Sequence, residues 1–270
     1  MKKIITIALS IIICLSCTAI LASCSGTDQK VITVGYTLVE PLNYLDENNE
    51  LVGFDTELAK LVFENLGYDK VIFKEIKWEN KYTDLASGNI DCIWNGFTAN
   101  CADDDGVQRS EKVDFTYNYM ENRQVIVVKA TEKEEATDAS AFKDKIGYVE
   151  ANSAGATYAE ATLEGAIVKE ATKQTDALWQ VKSGAAYFAV VDAQLAKSTV
   201  GSGDYSDLAT LEVLSSDVEY YAIGFKKGSD LTAKVNAQLE SLANDGTVMK
   251  LAEKYGVATT VITDFSDRKN

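Results

Sequence analysis

The chain predicts an α/β fold built as two similar lobes, each a mixed, largely parallel sheet flanked by helices. Three observations carry this reading. Strand patterns alternate with helical patterns along most of the chain, an order that favours parallel sheets. Leu85 to Gly96, LASGNIDCIWNG, and Val181 to Asp192, VKSGAAYFAVVD, share one plan: a helix end, Ser-Gly, a strand and a polar terminus. Upstream of each copy lies a strand with Gly-Tyr, at Gly35–Tyr36 and at Gly147–Tyr148.

The elements follow in order. Lys30 to Tyr36 alternates and is β-branched, so it predicts a strand. The loop to Asn43 holds the only proline, Pro41, and LDENNE is a turn signal. A helix follows with Asp55 as its expected N-cap; Leu58, Leu61, Val62 and Leu66 keep helical spacing and Gly67 stops it. Val71 to Ile76 predicts a strand, and Trp78 to Ser87 a short helix closed by Gly88. Gln124 to Lys129 is β-rich, whereas Glu132 to Lys145 is acidic and predicts a solvated loop with a helical turn. Lys145 to Val149 starts another strand, and a weak helix covers about 155–164. Thr175 to Ser183 predicts a helix capped by Gly184, Tyr187 to Val191 a buried strand and Tyr220 to Phe225 a further strand. Ser229 is the expected cap of an amphipathic helix through Leu231, Val235, Leu239 and Leu242. A last helix ends at Gly256, and the tail from Val257 reads as polar and uninformative.

Composition excludes several functions. With 46% hydrophobic residues in 270, the chain can bury one large or two medium domains. A net charge of −15 argues against nucleic acid, whose phosphates need a basic face. There is no histidine, which removes histidine acid–base catalysis and His-ligated metal. No cofactor or metal is expected.

The N-terminus sets the compartment. Lys2 and Lys3 precede an apolar run to Leu21, then Leu21 to Cys24 reads LASC. A basic start, an apolar core and small residues before a cut site make an export signal. Small residues before a cysteine resemble a bacterial lipobox. Residues 1–23 are then a signal peptide, Cys24 is lipidated, and 24–29 form a spacer. The rival reading is an uncleaved membrane helix, near the threshold of about 18 residues, although Ser10, Ser16 and Thr18 dilute it. Cys92 and Cys101 remain in the mature chain. Outside the cell they can pair as a disulfide; alternatively Cys92 is a small buried strand residue.

Ile90 to Phe115 carries the candidate chemistry. Its buried strand breaks into Asn95, Gly96, Phe97 and Thr98, and Arg109 follows after an acidic loop. A guanidinium pairs two-pronged with a carboxylate, and amide and hydroxyl donors complete its coordination. In open α/β sheets ligands bind beyond the carboxyl ends of strands. Two facing lobes would therefore place Thr98, Arg109, Ser153 and Asp192 around one cleft.

KVITVGY…YLDENNELVGFDTELAK, SGNIDCIWNGFT, the Arg109 to Phe115 segment, VVD at 190–192 and the terminal NDGTVMKLAEKYG occur in the order of a known family. Together they resemble the polar amino-acid substrate-binding lipoproteins of ABC importers, the bacterial extracellular solute-binding proteins of family 3, which have a type II periplasmic-binding-protein fold. The similarity spans roughly residues 30–256. It implies Arg109 as the clamp on a ligand α-carboxylate. It implies Asn95, Gly96 and Thr98 as the turn that holds the α-amino and α-carboxylate groups. Ser153 with the Asn152 amide would supply carboxylate donors from the second lobe, and Asp192 would pair with the α-ammonium. Tyr36, Trp78 and Trp94 fall near cleft-lining positions, and Lys81 near one that faces the ligand side chain.

Each residue also has a plainer reading. Asp192 can be a strand-end cap, Ser153 a turn serine, Trp78 and Trp94 core residues and Lys81 a solvated helix lysine. Arg109 can be a surface partner for Asp103 to Asp105. The sequence departs from the family in three places. The connection from Thr98 to Arg109 is longer, Tyr36 to Asn43 lacks the usual paired prolines and aspartate, and Ala151–Asn152 replaces a Gly-Ser.

The resemblance implies a non-enzymatic protein that closes on a free amino acid and passes it to an ABC permease. It would be a monomer, lipid-anchored on the outer face of the membrane or periplasmic. Lobe 1 would be residues 28–119 with 225–270, lobe 2 residues 125–219, and 119–124 and 220–224 the hinge crossings. Lys81 and the polar turns point to a polar or acidic amino acid. The rivals are a sensor that binds the same ligand without transport and a dehydratase on the same scaffold.

Overall fold

The computed structural model describes residues 29–266. The expected signal peptide at 1–23 and the lipidated Cys24 lie outside these residues. The chain begins with β1 (Val31–Tyr36), the hairpin β2 (Tyr44–Leu45) and β3 (Leu51–Val52), and α1 (Phe54–Asn65). It continues through β4 (Lys70–Glu75), α2 (Lys81–Ser87), β5 (Cys92–Ile93), α3 (Arg109–Lys112) and β6 (Asp114–Phe115). Then come β7 (Met120–Asn122), β8 (Gln124–Lys129), β9 (Ile146–Glu150), α4 (Ala154–Thr162) and β10 (Ile167–Ala171). The rest is α5 (Gln174–Ser183), β11 (Phe188–Asp192), α6 (Ala193–Thr199), β12 (Leu208–Leu211), β13 (Glu219–Tyr221), β14 (Gly224–Phe225), α7 (Leu231–Asn244) and α8 (Thr247–Lys254).

Two five-stranded sheets form, ordered β4-β1-β5-β14-β6 and β10-β9-β11-β8-β12. Both follow one scheme. The first three strands run parallel, and the fourth, β14 in one sheet and β8 in the other, lies antiparallel beside the third. The internal echo in the sequence is therefore a real duplication of plan, with β1 matching β9 and β5 matching β11. Gly35 and Gly147 hold equivalent places for one physical reason. A Cβ on Gly35 would lie 2.5 Å from Ile90, and one on Gly147 would lie 2.0 Å from the Phe188 ring. Each glycine clears space for a large side chain from the neighbouring strand.

The chain leaves the first sheet along β7 and returns along β13, and these two strands pair as a separate antiparallel ribbon. α1 packs with α7 and α8 beneath the first sheet. Val34, Phe54, Leu58, Phe63, Trp94, Val235 and Leu239 lie in the core there.

Several expectations need correction. Gly53, not Asp55, precedes α1; Asp55 sits inside the first turn and is buried. Asp230 rather than Ser229 caps α7, although the Ser229 hydroxyl accepts the Leu231 amide. The 220–225 strand is broken in two, because β13 pairs with β7 whereas β14 joins the first sheet. Residues 257–266 of the tail carry more than their sequence shows: Ile262 donates to the Tyr119 carbonyl, Glu121 donates to the Thr260 carbonyl, and Phe265 stacks on Tyr117. Cys92 and Cys101 are both free. Cys92 is buried in the first sheet's core, while Cys101 lies in the loop before α3, where its thiol approaches the Thr98 carbonyl. Three elements carried no clear sequence signal: β10 is a half-exposed strand, α6 a short helix and β12 a short strand.

Gly147→Ala tests the packing scheme. The added methyl must displace the Phe188 ring from a filled core, and overpacking of this kind costs about 1–3 kcal/mol. Urea unfolding should show a lower midpoint with the slope unchanged.

Candidate functional site

The carboxyl ends of both sheets and the loops beyond them line one small cavity. Its wall includes Thr37, Trp78, Asn95, Gly96, Thr98 and Arg109 from one side, and Glu150, Ser153, Gln174 and Asp192 from the other. Of the expected site residues, Trp78, Asn95, Gly96, Thr98, Arg109, Ser153 and Asp192 meet there.

Arg109 opens α3 and is buried. Its Nε donates to Asp103 Oδ1 at 2.8 Å, one terminal nitrogen to the Thr98 carbonyl at 3.2 Å, and the other to the Asn152 carbonyl at 3.3 Å. A guanidinium has five N–H donors. Three are taken, so one remains on each terminal nitrogen, an arrangement suited to a carboxylate fork. Asp103 comes from the long loop before α3. The same carboxylate also accepts from Tyr82 at 2.6 Å and from Lys112 at 2.9 Å. Burial alone would raise the Asp103 carboxyl, but Arg109, Tyr82 and Lys112 outweigh it and hold it below the usual range. The pairing of Arg109 with an aspartate of this loop therefore occurs, but inside the protein rather than on its surface.

Lys81 is not a solvated helix lysine. It is 1% exposed, its Nζ donates to the Asn152 carbonyl at 3.1 Å, and it lies over the Trp78 and Tyr82 rings. Burial, and next the Arg109 charge, lower its pKa to about 8. Asn152 thus serves through its carbonyl, in a left-handed conformation at φ 56, which asparagine tolerates. Ser153 caps α4, its hydroxyl accepting the Ala156 amide at 3.1 Å.

Asp192 ends β11 and is surrounded by amides. Asn122 and Gln124 donate to one of its oxygens at 2.8 and 2.6 Å, and Gln174 donates to the other at 2.6 Å. Glu219 accepts from the same two amides, Asn122 and Gln124, and from the Thr98 hydroxyl at 3.2 Å. Burial raises Asp192; burial together with the Asp192 charge pushes Glu219 up to about 7 and Glu150 up to about 8.

The Asn95–Thr98 turn is tied inward more than expected. The Asn95 side chain accepts from the Thr37 amide at 3.0 Å and donates to the Thr37 carbonyl and to Asn43. The Gly96 amide donates to Asp55 at 3.0 Å, and so does the Tyr119 hydroxyl, at 2.8 Å. Two expected lining residues lie elsewhere. Trp94 is fully buried in the core against Phe63 and Tyr119, and Tyr36 packs edge-on against Phe73. Tyr36 ends β1 and Trp94 directly follows β5, and both rings lie in the packing.

Sequence reasoning missed Thr37, Glu150, Gln174, Asn122, Gln124 and Glu219. The available signal was a polar residue at the edge of an apolar run: Gln124 opens QVIVVK and Glu150 closes IGYVE. Nothing local marked Glu219 or Gln174.

The model of the bacterial extracellular solute-binding proteins, family 3, matches residues 32–258. The L-cystine-binding protein TcyA of Bacillus subtilis (strain 168) is 28% identical over 232 residues, 84% of this chain and 81% of that protein. An ancestral arginine-binding protein solved with glutamine is 31% identical, with a TM-score of 0.75, covering 84% of this chain and 98% of that one. An ancestral amino acid-binding protein described as a precursor of cyclohexadienyl dehydratase is 27% identical, with a TM-score of 0.72, covering 85% and 96%.

Asp55 gives a pH prediction. Its carboxyl, 3.8 in the ordinary case, is pushed up to about 7 mainly by burial, against the pull of the Tyr119 and Gly96 donors. The folded chain therefore holds this proton more tightly than the unfolded chain. Below about pH 4 the site costs nothing; its cost builds between about pH 4 and pH 7 and levels off above. Asp55→Asn keeps an oxygen for both donors and removes the titration. The variant should gain stability over the parent by about 1–3 kcal/mol between pH 5 and pH 8, read from urea midpoints at the two pH values.

Proposed function

The chain belongs to the bacterial extracellular solute-binding proteins, family 3, and on that premise we propose that it captures a free amino acid outside the cytoplasm and delivers it to an ABC permease. The carrying observation is that Arg109 and Asp192, drawn from opposite halves of the fold, are both buried and line one cavity. A guanidinium with two spare N–H groups suits an α-carboxylate, and a carboxylate held by three amides suits an α-ammonium. The ligands of these relatives, cystine, glutamine and arginine, all carry that pair of groups.

Capture proceeds by closure. Among the described residues, 29–119 with 225–266 form one lobe, 125–219 the other, and 119–124 with 220–224 the hinge; residues 28 and 267–270 of the expected first lobe lie outside the described residues. The β7–β13 ribbon occupies these crossings, and it is narrow enough to flex while both sheets stay rigid. Arg109 and Lys81 both donate to Asn152 across the cleft, and Lys173 meets Glu75 at 2.5 Å. These contacts would hold the closed state. Micromolar capture needs about −8 kcal/mol, which a few charge-assisted bonds of about 1.5–3 kcal/mol each supply after ordering costs. The protein is anchored by lipid on Cys24, which the LASC motif supports.

The non-enzymatic reading rests on the binding-protein relatives. The dehydratase alternative draws on the likeness to the dehydratase precursor and on two carboxyls lifted towards neutral pH.

A thermal-shift panel of the common amino acids plus cystine should show one subset that raises the melting temperature, recovered unchanged after incubation. Arg109→Met or Asp192→Asn should weaken that ligand at least about 30-fold, equivalent to about 2 kcal/mol or more for a broken buried charge pair. Conversion of the ligand would instead support the dehydratase; the absence of any shift would overturn amino-acid capture.

A further inference from the structure

We propose that the cleft selects an amino acid with a cationic side chain, and that Glu150 is the residue that receives the cation. This deepens the amino-acid reading above and rests on it. The argument is a balance of buried charge. Four carboxylates lie in or directly behind the cavity wall: Asp103, Glu150, Asp192 and Glu219. Three cations oppose them: Lys81 and Arg109, each 1% exposed, and the half-buried Lys112, which meets Asp103 at 2.9 Å. A zwitterion adds no net charge, an anionic side chain widens the deficit, and a cationic one narrows it. An uncompensated carboxylate is costly where water is excluded and takes up a proton instead, so a cationic side chain can stand in for that proton whereas an anionic one adds to the cost.

The long loop before α3 creates the imbalance. Without it Arg109 would present a free positive charge; with it, Asp103 cancels that charge at 2.8 Å. Asp103 also stands 3.8 Å from Lys81, whose ammonium is turned onto the Asn152 carbonyl. Lys81 therefore does not favour an acidic ligand, contrary to the sequence-based expectation.

Among the three carboxylates that remain, Glu150 is the one placed for a ligand side chain. Asp192 is satisfied by Asn122, Gln124 and Gln174, and Glu219 by Asn122, Gln124 and Thr98. Glu150 ends β9, is 3% exposed and lines the cavity. The groups that face it are Asp192 from β11, Lys81 from α2, and Gln174 and Asp176 from α5. Burial and Asp192 keep it protonated near neutral pH, with a pKa of about 8, which is the behaviour of a carboxyl short of a cation. Trp78 also lines the cavity, with the Lys81 ammonium over its ring.

The test is calorimetric titration of the protein with L-arginine, L-lysine, L-glutamine and L-glutamate at pH 7. Arginine or lysine should bind at least tenfold tighter than glutamine, and glutamate weakest. Arginine or lysine should also release more protons than glutamine, measured in two buffers of different ionisation heat, because the bound cation expels the Glu150 proton. Glu150→Gln should cut the arginine-to-glutamine ratio at least tenfold and abolish the extra proton release. Should that variant fail to fold, the ligand order and proton count of the parent still decide. Preference for glutamine, glutamate or another neutral amino acid, or equal proton release, overturns the charge inference and leaves amino-acid capture standing. A protein that binds no amino acid at all overturns both.

Discussion

A guanidinium with almost no access to water must be compensated by its surroundings, and the architecture around Arg109 is arranged to do so. Asp103 neutralises it from its own loop, the Thr98 carbonyl takes a second donor, and the Asn152 carbonyl takes a third from the opposite half of the molecule. The last contact couples burial of the arginine to the relation between the two sheets. If the halves parted, Arg109 and Lys81 would both lose Asn152 and regain water. One carbonyl therefore makes the charge state of the cavity depend on its shape.

The other wall uses neutral amides instead of counter-charges. Asn122, Gln124 and Gln174 hold Asp192, and the first two also hold Glu219. Asn122 lies on the ribbon strand β7 and Gln124 just after it, so the Asp192 end of the cavity is built on the crossing between sheets. Amides spread the charge of a buried carboxylate without cancelling it. Such carboxyls keep a raised pKa and remain responsive to an arriving cation. The cavity pairs a cation cancelled from behind with anions that are only cushioned.

Much of this was legible in the residues. Ser-Gly before a strand and Gly-Tyr within one marked the duplicated plan: Gly88 and Gly184 are left-handed helix stops, a local requirement, and Gly35 and Gly147 each clear space for a side chain from the neighbouring strand. Arg109, Thr98, Ser153 and Asp192 could be picked as strand-end or loop polar groups before any coordinates. Trp94 and Tyr36 misled because adjacency in sequence to a polar turn does not say which way a ring points. The tail from Val257 looked uninformative because its apolar residues are isolated, yet Val257 and Phe265 are buried against segments far away in the chain.

The sequence by itself determined the alternation of strands and helices, the two-fold repeat of plan and the residue types available for a zwitterion. These depend on interactions within a few residues. Only the tertiary structure decided which charges cancel. Asp103 and Arg109 share a loop, but Lys81 meets Asn152 across 71 positions and Thr98 meets Glu219 across 121. Coulomb energy depends on separation in space and on exclusion of water, and neither is written in the order of the residues.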